Sequence, residues 1–164
     1  MTGMEFLTGK NELSIRPALA VDIPHVREML REYVAWIELD LAFQEIEAEL
    51  DGLPGDYAPP RGALFVAVEG HRYLAMIALR PLDRTIAEMK RLYVRPEARG
   101  RGLARRLIAR LCDEAKRLNY TELRLDTLPM MGEAQALYET YGFVDIEPYY
   151  ETPIAGTRFM SKKI

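Results

Sequence analysis

The spacing of apolar positions changes several times along the chain, and each change marks an element. Residues 13–16 alternate as a short strand, after which Asp22 occupies the place of a helix N-cap with Pro24 in the first turn. Val26, Leu30, Tyr33 or Val34, and Ile37 then recur at helical spacing and give that helix one apolar stripe. Phe43, Ile46 and Leu50 repeat the period over a second, shorter helix. Residues 51–62, DGLPGDYAPPRG, are dense in proline and glycine and read as a loop.

Beyond the loop the pattern becomes that of strands. Residues 63–69 and 73–79 form a predicted hairpin turning near Gly70 and His71, and residues 87–94 form a third strand stopped by Pro96. A helix is predicted over residues 102–118, with Leu103, Leu107, Ile108, Leu111, Cys112, Ala115 and Leu118 on one face. A strand at 123–127 follows, then a helix at 133–141 closed by Gly142 as a left-handed cap. Two last strands, near 143–147 and 158–162, flank a loop containing Pro148 and Pro153. This order predicts a mixed α/β (α+β) domain, with room between the third strand and Thr127 for one right-handed β-α-β crossover. Residues 1–11 read as a loose tail, leaving 12–164 as a single domain.

Composition narrows the function classes. The chain is 49% hydrophobic and 29% charged, as in ordinary globular domains. Its net charge of −3 argues against a general nucleic-acid binder, while leaving room for a local basic patch. The single cysteine, Cys112, forms no internal disulfide, and no His/Cys spacing resembles a metal site. The start MTGMEFLTGKNELSIR lacks the apolar core of a secretory signal, and no apolar run approaches the ~20 residues that span a bilayer. The expectation is a cytoplasmic protein acting without metal, membrane or nucleic acid.

The chemistry concentrates in residues 88–107, EMKRLYVRPEARGRGLARRL. A strand ends, a turn follows, and Arg99, Gly100, Arg101, Gly102, Leu103 and Ala104 open an amphipathic helix. Glycines there let a ligand approach the backbone, and the first helical N–H groups and the dipole favour an anion. Arg99, Arg101, Arg105 and Arg106 add charge suited to a phosphate or pyrophosphate; the plainer reading is solvated arginines around a turn. No Walker loop is present. A dinucleotide loop fits poorly even with Asp126 near the end of the next strand, because Arg105 stands where close helix–strand packing requires glycine.

Arg99-x-x-Gly102-x-Ala104 resembles the pyrophosphate loop, Arg/Gln-x-x-Gly-x-Gly/Ala, of the GNAT N-acetyltransferases. Ala134-x-x-Leu137-Tyr138-x-x-x-Gly142-Phe143 is similar to that family's later motif, and the element order resembles the GNAT fold from Leu13 onward. The resemblance implies a mixed, mostly antiparallel sheet flanked by helices, with the crossover carrying acetyl-CoA. It also implies direct acetyl transfer to the primary amine of a small molecule. The strand before the loop would splay from its neighbour and offer backbone groups of Leu92, Tyr93 and Val94 to the pantetheine arm, one N–H polarising the acetyl carbonyl. Residues Arg99 to Arg105 would hold the pyrophosphate.

An alkylammonium of pKa ~10.4 costs about 4.6 kcal/mol to deprotonate at pH 7, so a general base is useful. Glu88, four residues before Leu92 and so on the same face by period-two alternation, resembles the family's catalytic glutamate in position. It equally suits a strand carboxylate paired with Lys90 or a neighbouring arginine. Tyr138 matches the usual acid that protonates the thiolate, while its face, shared with Ala134, Leu137 and Tyr141, also suits a core position. Met131 stands where many members carry an asparagine, a departure from the pattern. Tyr57, Arg61, Tyr149 and Tyr150 are further candidates for the border of the acceptor site, and Cys112 is expected in the core. The competing reading is a coenzyme-A-binding sensor without turnover. A homodimer is compatible with the fold, and the acceptor is not legible from fold analogy.

Overall fold

The computed structural model describes residues 12–38 and 45–164; the expected tail at 1–11 and Phe43 lie outside the described residues. The strands are β1 (Leu13–Pro17), β2 (Ala63–Glu69), β3 (Arg72–Pro81), β4 (Ile86–Val94), β5 (Glu122–Thr127), β6 (Val144–Asp145) and β7 (Arg158–Lys163). The helices are α1 (Ile23–Ile37), α2 (Ile46–Gly52), α3 (Leu103–Arg117) and α4 (Gly132–Thr140). The strands form one sheet in the order β1-β2-β3-β4-β5-β7-β6. Every neighbouring pair is antiparallel except β4 and β5, which α3 connects as the expected crossover. The mixed α/β architecture is the one the element order implies, and the mostly antiparallel sheet the one the family resemblance implies.

Each face of the sheet carries its own core. Phe65, Ala75, Ile77, Leu79 and Leu123 pack with Leu103, Leu107, Ile108 and Leu111 of α3 and with Tyr138 of α4. Leu64, Val66, Met76 and Ala78 pack on the other face with Val26, Met29 and Leu30 of α1 and Ile46 and Leu50 of α2. Strands covered on both faces bury nearly every residue, which is why β2 reads ALFVAVE with no polar alternation. α3 ends in Lys116 and Arg117, which complement its dipole, and Asn119 follows at φ 67°.

β4 departs from simple alternation. Met76 pairs with Tyr93 and Ala78 with Lys90, so Arg91 and Leu92 share the place opposite Ile77. Arg91 sits at φ 60°, and the extra residue makes a β-bulge. Before it, Ala87 and Met89 face the α3 core; after it, Leu92 and Val94 do, while Tyr93 joins the α1 core. Glu88 and Leu92 therefore lie on opposite faces, correcting the period-two placement of Glu88. Pairing of β4 with β5 also stops at Glu88–Arg124, and beyond it the two strands part.

Three local expectations change. Asp22 occupies the N-cap position of α1 but makes no side-chain cap bond. Its buried carboxylate turns back to accept hydrogen bonds from Arg16 (2.6 and 2.9 Å), the Leu19 N–H (2.7 Å) and the Tyr73 hydroxyl. The loop at 51–62 contains the end of α2 and a helical turn, Gly55–Tyr57, that buries Tyr57. The strand expected at 143–147 shortens to Val144–Asp145.

The Arg16 hydrogen bonds hold the Asp22 carboxyl well below the usual carboxylate range. Its stabilisation is present above the unfolded value near pH ~4 and is lost as pH falls further. Thermal melts from pH 7 down to pH 2 are expected to show wild-type stability falling below pH ~4. Asp22→Asn should lower stability by roughly 1–3 kcal/mol at neutral pH and flatten the acid slope. An unchanged slope in the variant would remove Asp22 from the acid response.

Candidate active-site cleft

Where β4 and β5 part, a cleft of about 820 Å³ opens through the sheet. Its walls are β4 from Met89 to Val94, the start of α3, Asp126 and Leu128 at the end of β5, and the first turns of α4. Tyr33 and Trp36 of α1 close the opposite side.

One end of the cleft is built for an anion. Gly102 caps α3 at φ 75° and Gly100 precedes it at φ 80°. A Cβ on either would meet nothing within 4 Å, so the left-handed backbone, rather than crowding, selects glycine. The first intrahelical bond of α3 runs from the Arg106 N–H to the Gly102 carbonyl (3.2 Å), leaving the amides of Leu103, Ala104 and Arg105 ahead of it. Arg99 and Arg105 line the same wall. Arg99 Nε donates to the Val94 carbonyl (3.1 Å), and its guanidinium lies 5.4 Å from the Trp36 ring centroid. Arg101 does not join them: its guanidinium is captured by Glu69 at the end of β2 (2.5 Å). Of the predicted anion-binding residues, Arg99, Gly100, Gly102, Leu103, Ala104 and Arg105 meet on the cleft wall, and Arg101 is corrected to a surface ion pair. The size, open glycines and paired arginines suit the pyrophosphate and arm of coenzyme A.

The other end holds the polar chemistry. Leu92, Tyr93 and Val94 line it, and Tyr138 faces them from α4. Tyr138 packs its ring on Phe143 (5.9 Å), and burial pushes its phenol up, so it stays protonated at neutral pH. Burial likewise pushes the Tyr33 phenol up to about 12. Met131, in the position where an asparagine was expected, lines the cleft at the N-terminus of α4; nearby, Gln135 Nε2 donates to the Leu128 carbonyl (2.9 Å).

Glu88 is not on the cleft wall. Its fully buried carboxylate accepts from Arg80 (2.7 Å) and from the Tyr149 hydroxyl, with Lys90 at 3.7 Å. Asp126 and Lys90 line the cleft instead, their charged atoms 3.8 Å apart, and Asp126 also accepts from the Tyr150 hydroxyl (2.7 Å). Tyr149 and Tyr150 thus brace carboxylates rather than line the cleft, and burial raises both phenols. Tyr57 is buried beside the Glu49–Arg91 pair, and Arg61 is spent on Tyr120 and the Asp83 carbonyl. The sequence signal for Lys90 and Asp126 was a charge inside a strand covered on both faces. Cys112 lies in the α3 core, off the cleft. Among the described residues no cluster suits a metal ion, and no helix is long and apolar enough to cross a membrane.

The acetyltransferase (GNAT) family model matches residues 23–143. An uncharacterised N-acetyltransferase of Schizosaccharomyces pombe is 36% identical over 144 residues, covering 87% of this chain and 88% of its own. Among solved structures, an N-acetyltransferase of Thermoplasma acidophilum in complex with coenzyme A superposes with TM-score 0.72 at 20% identity, covering 93% of this chain and 99% of its own. A spermidine N-acetyltransferase of Vibrio cholerae, in complex with coenzyme A and spermine, superposes with TM-score 0.68 at 23% identity, covering 92% and 95%.

Calorimetric titration with acetyl-CoA checks the anion end. Gly102→Glu, which places a carboxylate and a strained backbone at the α3 start, is expected to abolish measurable binding. Arg105→Ala should weaken binding by roughly tenfold, and Arg101→Ala by less. Equal losses at Arg101 and Arg105 would show that the two arginines are not divided as the cleft suggests.

Proposed function

The chain belongs to the acetyltransferase (GNAT) family as an N-acetyltransferase with acetyl-CoA as cosubstrate, and from that premise we propose that it acetylates the primary amine of a small molecule directly. The observation that carries this reading is one cleft in which an anion-binding helix start, the free edge of β4, a protonated tyrosine and a carboxylate meet. Acetyl-CoA supplies the activated acyl group. The amides of Leu103 to Arg105, with Arg99 and Arg105, hold its pyrophosphate. Leu92, Tyr93 and Val94 meet the arm along the edge that β5 leaves unpaired, and one N–H there stabilises the developing oxyanion.

Direct transfer fits the lining: among the described residues Cys112 lies in the α3 core, and neither serine nor cysteine lines the cleft walls. The ammonium first gives up one proton through the base to solvent; the carbon–sulfur bond then breaks as the carbon–nitrogen bond forms, nitrogen loses a second proton, and the thiolate gains one. Asp126 is the carboxylate placed to accept the amine proton, directly or through a water. Glu88 acts behind it as a positioning residue, holding Lys90 and Tyr149. Tyr138 supplies the hydroxyl that the departing thiolate meets.

Thiol release in the presence of an amine panel tests these roles. Tyr138→Phe is expected to lower kcat roughly tenfold or more while the acetyl-CoA Kd stays unchanged. Asp126→Asn should lower kcat/KM on the order of 10²-fold, with a smaller loss for Glu88→Gln of intact thermal stability. Unimpaired Asp126→Asn beside inactive, folded Glu88→Gln would return the base to Glu88. Acetyl-CoA binding without thiol release for any amine would sink the transferase reading.

A further inference from the structure

Resting on the acetyl-CoA reading, we propose that Trp36 is a positioning residue for the cofactor. Its indole holds the Arg99 guanidinium in place while leaving the charge and the terminal N–H groups of Arg99 free for the pyrophosphate.

Arg99 differs from its neighbours along the turn. Arg95 pairs with Glu32 (2.6 Å) and Arg101 with Glu69 (2.5 Å), so the charge of each is already engaged. Among the described residues Arg99 forms no ion pair and is held in two other ways. Its Nε donates to the carbonyl of Val94 (3.1 Å), the last residue of β4. Its guanidinium carbon lies over the Trp36 ring, 5.4 Å from the centroid. Neither contact takes a hydrogen bond from Nη1 or Nη2.

An aromatic ring suits this task where a carboxylate would not. The ring attracts the cation through its quadrupole and leaves the positive charge unneutralised. A glutamate in its place would consume the donors, as Glu69 does with Arg101, and would repel a diphosphate. A guanidinium with its charge and two terminal nitrogens unspent is what bidentate phosphate recognition requires. Holding that side chain beforehand also reduces the rotamer entropy lost when the anion binds. Arg99, Trp36 and the glycine-marked start of α3 line the same cleft, so the three act on one ligand.

Trp36 is not a core residue. Val26, Met29, Leu30, Tyr33 and Ile37 supply the buried stripe of α1, whereas Trp36 is 47% exposed. Its contact with Arg99 is thus separable from the packing of the helix.

The test is a double-mutant cycle on the full chain, read by calorimetric titration with acetyl-CoA. Trp36→Leu is expected to raise the Kd roughly three- to tenfold with the melting temperature unchanged, and Trp36→Phe to raise it less. Arg99→Ala should raise it roughly tenfold, and adding Trp36→Leu to Arg99→Ala should raise it no further. Equal losses from Trp36→Leu in the wild-type and Arg99→Ala backgrounds would mean that Trp36 acts without Arg99, and the proposal fails. An unchanged Kd for Trp36→Leu or for Arg99→Ala overturns it as well, while the transferase reading stands. If the wild type binds no acetyl-CoA, the cofactor reading fails and the proposal with it.

Discussion

Arg91 adds one residue to β4 and holds it there at φ 60°, and the cleft follows from that displacement. The left-handed backbone costs a non-glycine residue of order 1–3 kcal/mol. It is offset by a guanidinium that donates to both oxygens of Glu49 on α2, each at 2.9 Å. The bulge bends β4 just past its last pair with β5, so the sheet opens where a parallel ladder would otherwise continue. It also exchanges the faces of the strand, turning Leu92 and Val94 toward α3 and Tyr93 toward α1. A device that locks α2 to the sheet is thus the same one that creates the opening.

The two sides of that opening differ in chemistry for physical reasons. On the α3 side the backbone offers the donors: glycines at positive φ, three helical amides and two arginines line one wall, an arrangement suited to a diffuse negative charge. On the α1 side the charges are paired and largely buried, Arg80 with Glu88, Arg91 with Glu49, and Lys90 between Glu88 and Asp126. Buried ions of this kind are retained at a desolvation cost that their mutual pairing offsets. Tyr149 and Tyr150 fix the two carboxylates, and burial keeps both phenols protonated as donors.

Most of the fold was legible in the sequence. The stripe Leu103, Leu107, Ile108, Leu111 placed α3, Gly142 closed α4 at φ 89°, and the Gly100–Gly102 turn marked the start of α3 on the cleft wall. Each rests on a local rule, periodicity or positive φ, that needs no partner to act. Asp22 was legible as a cap and is instead the acceptor for Arg16 and Tyr73, because donors from β1 and β3 compete successfully with the helix amides. Arg101 was legible as a phosphate ligand and is instead held by Glu69, which the fold alone brings beside it.

The sequence by itself determined the elements, their order, the crossover and the glycine-marked start of α3, since these follow from backbone geometry and solvation within a few residues. The tertiary structure alone decided which carboxylate faces the cleft. Alternation places Glu88 with Leu92 until a bulge reverses the parity, and a bulge at a non-glycine residue leaves no mark in the sequence. The pairing of Lys90 with Asp126 likewise depends on β4 and β5 lying side by side and then diverging, a contact between residues far apart along the chain. Local rules fix where the chain turns; only packing fixes which charges meet.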